Sequence, residues 1–162
     1  MNYQLYHSPL GLLLLFSDGS ALKKLTFLAS VRDFTPDELF QKRSDAVLTA
    51  ATQQLDEWFA GSRREFDLPL APDGTPFQQK VWKALQTIPY GTTSTYGELA
   101  GKLGQPSSAR AVGAANGKNP IALIIPCHRV IGADGSLTGY AFGLEKKKKL
   151  LSLEAQLQLS LI

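Results

Sequence analysis

The chain has 162 residues, 44% hydrophobic and 19% charged, with seventeen basic against fourteen acidic side chains. That length holds one domain or two small ones with a real core. Its apolar runs, such as Leu12–Phe16 and Ile121–Pro126, are far too short to span a bilayer, and the start MNYQLYHSPLGLLLLFSDG has neither the cationic lead nor the cleavage site of a secretory signal. One cysteine excludes an internal disulfide framework, and one cysteine with two histidines argues against structural zinc.

In chain order, Asn2–His7, Leu12–Phe16 and Leu22–Leu28 read as short strands separated by the turn formers Ser8-Pro9 and Asp18-Gly19. Thr35-Pro36-Asp37-Glu38 has the signature of a helix start, with Pro at the first helical position and an acid placed to close a capping box. A helix is expected over Ala46–Ala60, stopping at Gly61, and a strand over Glu65–Leu70. Ala71-Pro72-Asp73-Gly74 is the best linker in the chain. It suggests a first domain of residues 1–70, a linker of 71–76 and a second domain of 77–162.

The second part reads as mostly helical. Thr75-Pro76-Phe77-Gln78 repeats the capping pattern, and Phe77, Val81, Trp82, Leu85 and Ile88 share one helical face. Pro89-Tyr90-Gly91 breaks that helix. Thr95-Tyr96-Gly97-Glu98 reads as a third capping box, opening a short helix that ends near Gly104. Pro106-Ser107 starts another, Ser108–Asn116, so the pair forms a helix-turn-helix, a unit used both for DNA binding and as plain structure. In the second helix Ala109, Ala111, Gly113, Ala114 and Ala115 surround one long side chain, Arg110. Such a smooth helix approaches another backbone closely, whether protein or nucleic acid. It lacks the polar array that reads base edges in the major groove.

Charge is unevenly spread. Residues 1–91 carry nine basic and ten acidic side chains, residues 92–162 eight and four, and half of those eight lie in Lys146–Lys149. A basic second half suits a polyanionic partner; a solvated helix face explains it equally well.

The apolar run Ile121–Ile125 is expected to be buried and to deliver Pro126-Cys127-His128-Arg129. A lone cysteine there is ordinarily a small core residue. Neighbouring imidazole and guanidinium groups favour a thiolate, which is the nucleophilic form. On a regular strand Cys127 and His128 would face opposite ways, so they cooperate only if the chain bends at Pro126 or a water bridges them. The only other histidine is His7, which leaves ordinary Cys–His hydrolysis poorly supported.

Ile125-Pro126-Cys127-His128-Arg129-Val130-Ile131-Gly132 resembles the active-site signature of the O6-alkylguanine-DNA alkyltransferases, the methylated-DNA–protein-cysteine methyltransferases. Thr75-Pro76-Phe77-Gln78, Trp82, Tyr96-Gly97-Glu98-Leu99-Ala100, Arg110-Ala111-Val112-Gly113, Asn119-Pro120 and Gly139-Tyr140 follow in family order and spacing. The likeness is close over residues 75–155 and one of layout alone over the first seventy. It implies an α+β fold: a small, mainly structural N-terminal α/β domain of ribonuclease-H-like topology, then a mostly helical domain resembling a winged helix-turn-helix.

The implied activity is single-turnover DNA repair. Duplex DNA is bound through the minor groove, the damaged guanine is rotated out of the stack, and Cys127 takes the alkyl group from O6 irreversibly, with O4-alkylthymine as a second substrate. By the same resemblance His128 acts through a water as base, Glu154 orients His128, and Tyr96 turns the phosphate and donates to the departing guanine. Arg110 fills the emptied stack, flanked by the small residues Ala109 and Gly113 of the DNA-contacting helix. Asn119 braces the turn between the DNA-contacting elements, Tyr140 walls the base pocket, and Lys147 supports the site. Ala141 stands where some relatives carry a small polar residue, leaving only its backbone N–H for the base; Phe142 and Ala122 also depart from relatives and bear on pocket width and on bulky substrates.

The reaction makes sense on its own terms. Alkyl transfer from an aryl ether oxygen to sulfur needs a desolvated soft nucleophile and a way to neutralise the leaving anion, and a base inside a duplex must be extruded to present O6. No cofactor and no metal are expected. The expected partner is double-stranded DNA carrying O6-alkylguanine, with no membrane, and the protein is expected to be a cytoplasmic monomer, nuclear if its source is eukaryotic. Two other readings compete: a module that binds alkylated DNA without reacting, which lacks the reactive cysteine, and a helix-turn-helix regulator, which leaves the Pro-Cys-His-Arg motif and Tyr96 without a purpose.

Overall fold

The computed structural model describes residues 1–159. They form two compact units: Met1–Asp73 together with Pro120–Ala122, and Gly74–Asn119 together with the chain from Leu123 onward.

In the first unit β1 (Asn2–Ser8), β2 (Gly11–Ser17) and β3 (Leu22–Leu28) make an antiparallel meander, and the two-residue β4 (Gln41–Lys42) adds parallel to β1, giving the order β3-β2-β1-β4. The central strand β2 is buried on both faces, as its unbroken Leu-Leu-Leu-Leu-Phe run requires. Leu14 and Phe16 join Tyr3 on one face, where Phe34 packs edge-on against Tyr3 and Phe16 and Phe40 lies tilted against Phe16. Leu13 and Leu15 occupy the other, and α1 (Ala46–Ala60) packs against β1 and β2. Asp45 caps α1 by accepting from the Leu48 N–H (2.8 Å), and Gly61 ends it in the left-handed region at φ 85°. Pro120–Ala122 extends the sheet at Leu25, whose N–H and carbonyl bond to Pro120 and Ala122 at 2.9 Å each.

Two expected elements are absent here. The segment Thr35–Glu38 is not helical; the cap lies upstream, where Ser30 and Asp33 form a capping box around a single 3₁₀ turn. Phe34 and Phe40 decide this. Both rings reach the same aromatic cluster around Phe16, and the chain between them follows that packing rather than helical geometry. The expected strand Glu65–Leu70 shrinks to one bridge between Leu70 and Leu22. The side-chain amide of Gln54 bonds both backbone groups of Asp67 (2.8 and 3.0 Å) in place of a strand ladder, and Pro69 has no N–H to offer.

The second unit is built on α2 (Pro76–Leu85), α3 (Tyr96–Lys102), α4 (Ala109–Gly117) and α5 (Leu144–Leu159), with one parallel pair, β5 (Ser94–Thr95) and β6 (Val130–Ile131). Thr75 and Gln78 close a full capping box at α2. At α3 only half of the expected box forms: Thr95 accepts from the Glu98 N–H, while the Glu98 carboxylate turns to the Ser94 hydroxyl (3.0 Å). A 3₁₀ turn, Pro106–Ser108, joins α3 to α4. Val81, Trp82, Leu85, Leu99, Val112, Ala115 and Leu150 form the core, and the Trp82 indole donates to the Ala115 carbonyl at 2.9 Å. Among the described residues no helix is long and apolar enough to cross a membrane, and no group of three or more His, Cys, Asp or Glu could hold a metal ion.

Candidate active site

The whole run Ile121–Val130 is buried, and the backbone bends sharply just before the cysteine. Leu123 adopts φ 69°, the left-handed region that L-residues enter at a cost, held there by a fully packed side chain. Pro126, at φ −81° and ψ 64°, centres an inverse γ-turn closed by the Cys127 N–H on the Ile125 carbonyl at 2.8 Å. Cys127–Arg129 then forms one 3₁₀ turn, so three successive side chains fan outward rather than alternating across a strand. This is the bend that the sequence required for Cys127 and His128 to work together. Asn119, two residues beyond α4, ties it down by donating from Nδ2 to the Ile125 carbonyl (2.8 Å) and also hydrogen-bonds the Cys127 thiol.

Behind the cysteine lies a buried ionic cluster. Glu154, in α5 and 1% exposed, receives His128 Nε2 at 2.8 Å and Arg129 Nε at 2.6 and 3.1 Å; the Gly91 N–H adds a longer contact at 3.4 Å. Arg129 also donates to the Ile88 carbonyl (2.8 Å) and lies over the Tyr90 ring at 5.5 Å. Burial alone would raise the Glu154 carboxyl, but its bonds to His128 and Arg129 outweigh burial and hold it below the usual range. Being ionised, it can only accept, so His128 carries its proton on Nε2. Nδ1 then keeps a free lone pair, and it is buried with no partner among the described residues. Burial lowers the His128 pKa despite Glu154, so the imidazole is neutral at pH 7.

The guanidinium therefore serves Glu154 rather than the sulfur, contrary to the expectation from its place in the motif. The thiol differs from expectation too. Burial raises its pKa above the ordinary value, against the Asn119 hydrogen bond and the Lys147 charge, so the resting group is a thiol and its proton must leave during reaction.

In front of the cysteine is a cavity of about 250 Å³, to whose wall Tyr96, Gly113, Asn116, Asn119, Tyr140 and Ala141 contribute. Cys127 lines it while only 5% exposed. Tyr96 opens α3 and donates its hydroxyl to the Thr138 carbonyl at 3.2 Å. The ammonium of Lys147, the one buried side chain in the Lys146–Lys149 run, meets the same carbonyl at 2.8 Å and that of Gly139 at 3.1 Å, fixing the loop that carries Tyr140 and Ala141. The Tyr140 hydroxyl is buried and unpartnered among the described residues, and burial pushes its pKa well up, with a further push once Cys127 is ionised. Arg110 is exposed and Ala109 half-buried on the first turn of α4, outside the cavity wall.

Nine of the eleven residues expected at the site thus line the cavity or bond directly behind it. Arg129, expected beside the thiolate but bonded to Glu154, and Asn116, which the sequence does not mark, complete the arrangement. The Pro-Cys-His-Arg motif held a signal for the first; nothing in the sequence distinguished the second from other polar residues on an alanine-rich helix.

Comparison with known proteins agrees over the whole length. A family model described as the 6-O-methylguanine DNA methyltransferase ribonuclease-like domain matches residues 1–72, and its DNA binding domain counterpart matches residues 76–156. The methylated-DNA–protein-cysteine methyltransferase of Methanosarcina acetivorans is 49% identical over 155 residues, 95% of this chain and 98% of its own length. The crystal structure of Mycobacterium tuberculosis OGT in complex with DNA superposes with a TM-score of 0.88 at 48% identity, over 97% of this chain and 94% of that one. The O6-methylguanine DNA methyltransferase of Methanococcus jannaschii superposes with a TM-score of 0.68 at 32% identity, over 94% and 93%. With both parts of the chain matched, and nearly half its residues shared with such a relative end to end, it belongs to the 6-O-methylguanine DNA methyltransferase family, the methylated-DNA–protein-cysteine methyltransferases.

Proposed function

We propose that this protein repairs O6-alkylguanine in duplex DNA by irreversible, single-turnover transfer of the alkyl group to Cys127. The observation that carries the reading is a near-buried thiol on the wall of a cavity, backed by a neutral imidazole whose tautomer a buried carboxylate sets. The extruded base enters the cavity, and the Cys127 sulfur attacks the alkyl carbon in line with O6. As the S–C bond forms and the C–O6 bond breaks, the thiol proton passes through a water to Nδ1 of His128, the lone pair left free by Glu154. The guanine anion takes a proton at the ring from Tyr96 at the cavity mouth, and the His128 imidazolium returns its proton through solvent to the Tyr96 phenolate. Overall the thiol hydrogen is exchanged for the alkyl group, and the thioether is stable to water, so no turnover follows.

Arg110, exposed on a helix of small residues, takes the vacated place in the stack; unstacking costs a few kcal/mol that an inserted side chain and phosphate contacts offset. Ala109 and Gly113 keep that surface low enough for close approach, and the Ala141 N–H is available to the base. Asn119 and Lys147 hold the Cys127 turn and the Tyr140 loop in register. In sequence terms residues 1–70, followed by the 71–76 linker, have a mainly structural role, and residues 77–162 carry the chemistry. The protein acts as a monomer without cofactor in the compartment that holds the DNA: the cytoplasm, or the nucleus of a eukaryote.

Incubation with duplex DNA containing O6-methylguanine is expected to add one methylene mass to the peptide bearing Cys127, once per molecule, by intact and peptide mass spectrometry. Repaired DNA beside an unmodified Cys127, or repeated turnover, overturns the reading. A module that merely binds alkylated DNA would leave both DNA and protein unchanged.

A further inference from the structure

Besides the Tyr140 hydroxyl, which can donate as well as accept, the cavity wall carries a pure acceptor that the alkyl-transfer reading does not use. Asn116 lies on α4 one turn beyond Gly113, is 5% exposed, and lines the cavity. Its Oδ1 is buried with no hydrogen-bond partner among the described residues. The neighbouring amide, Asn119, is by contrast fully engaged with the Ile125 carbonyl and the Cys127 thiol. Buried acceptors are almost always paired, because an unpaired one forfeits its hydration for nothing. An acceptor left open on a cavity wall therefore matches a donor that arrives with the ligand.

The chemistry of the damaged bases says which donor. Alkylation at O6 removes the N1 proton of guanine, so the exocyclic 2-amino group is the only N–H donor the base retains. O4-alkylthymine has lost its N3 proton and offers acceptors and a methyl group but no donor. We infer that Asn116 accepts a hydrogen bond from the 2-amino group of the extruded base and thereby sets a preference for O6-alkylguanine over O4-alkylthymine. The inference rests on the alkyl-transfer reading above. A site built to pair with a substrate group discriminates against an analogue lacking it, since the site group is then left unpaired.

The test uses the full-length protein and three duplexes of one sequence, carrying O6-methylguanine, O6-methylhypoxanthine (the same base without the 2-amine) or O4-methylthymine. Single-turnover methylation of Cys127 is followed in wild type and in Asn116→Leu, Asn116→Ala and Asn116→Asp. Wild type is expected to favour O6-methylguanine over O6-methylhypoxanthine by about 10- to 100-fold. The Leu and Ala variants bring that ratio toward one and narrow the gap to O4-methylthymine; the Asp variant, which keeps an acceptor, retains the preference. Because each ratio is taken within one protein, a general loss of activity cancels, and any one variant that folds decides. Equal rates of wild type on the two purines, or an undiminished ratio in the Leu or Ala variant, overturn the assignment. Failure of the underlying reading looks different: wild type leaves Cys127 unmodified with all three duplexes.

Discussion

Glu154 sits about three turns into α5, where charge pattern alone marks it as an exposed helix residue. In the fold it is buried and receives both side chains that follow the cysteine. Cys127 and His128 are readable from the sequence because the motif that holds them is contiguous, whereas Glu154 enters only through the family resemblance. The direction of the Arg129 fork is not readable, since it depends on where α5 lies. Glu154→Gln is expected to cost about 3–5 kcal/mol of stability by leaving a buried guanidinium without its counter-charge. It also frees the His128 tautomer, and methyl transfer to Cys127 is expected to slow by about 10²–10⁴-fold. Chemical denaturation and quench-flow transfer assays read the two effects separately; a variant that transfers at the wild-type rate removes Glu154 from the mechanism.

At the scale of elements, α3 and α4 were legible because each carries its own start and stop signals, whereas the Thr35–Glu38 and Glu65–Leu70 readings failed where side chains elsewhere in the first unit outbid local propensity. Gly113 gives a test of what α4 is for. A Cβ there would meet the Tyr96 ring at 3.6 Å, an ordinary contact, so nothing in the packing demands glycine. Gly113→Ala is expected to raise stability by up to about 1 kcal/mol through helix propensity while weakening binding of the damaged duplex, because the added methyl stands on the cavity wall beside the Tyr96 ring, where the extruded base must fit. Thermal melts with fluorescence anisotropy measure both, and unchanged affinity argues that the smooth face serves packing alone. Arg110→Ala is expected to slow repair in duplex DNA more than reaction with free O6-alkylguanine, compared by single-turnover rates on each; an equal loss on both removes its stack-filling role.

For the molecule as a whole, the buried pair gives stability a defined pH dependence. His128 has its folded pKa lowered from 6.5, so below about pH 6.5 the unfolded chain binds the proton first and stability falls. Glu154 has its folded pKa lowered from 4.5, so its contribution is present above that value and is lost as pH falls toward the folded pKa. Both signs agree: the melting temperature is expected to decline on acidification below about pH 6.5 and more steeply below about 4.5, and Glu154→Gln to flatten the lower limb. A melting temperature that is level from pH 7 to 4 contradicts this account. Transfer, which needs neutral His128, is expected to stay level from pH 8 to 6.5.

The sequence by itself determined the parts whose information is contiguous: the capped helices, the meander of strands, the reactive cysteine and its histidine, and the family they belong to. Only the tertiary structure decided what those parts face. It turned Arg129 onto Glu154 instead of the sulfur, kept the resting cysteine as a thiol, buried one lysine of four, and left the Asn116 carbonyl unpaired in the cavity. The reason is that a side chain's protonation and partner depend on distance and desolvation, and those are set by groups tens of residues away in the chain.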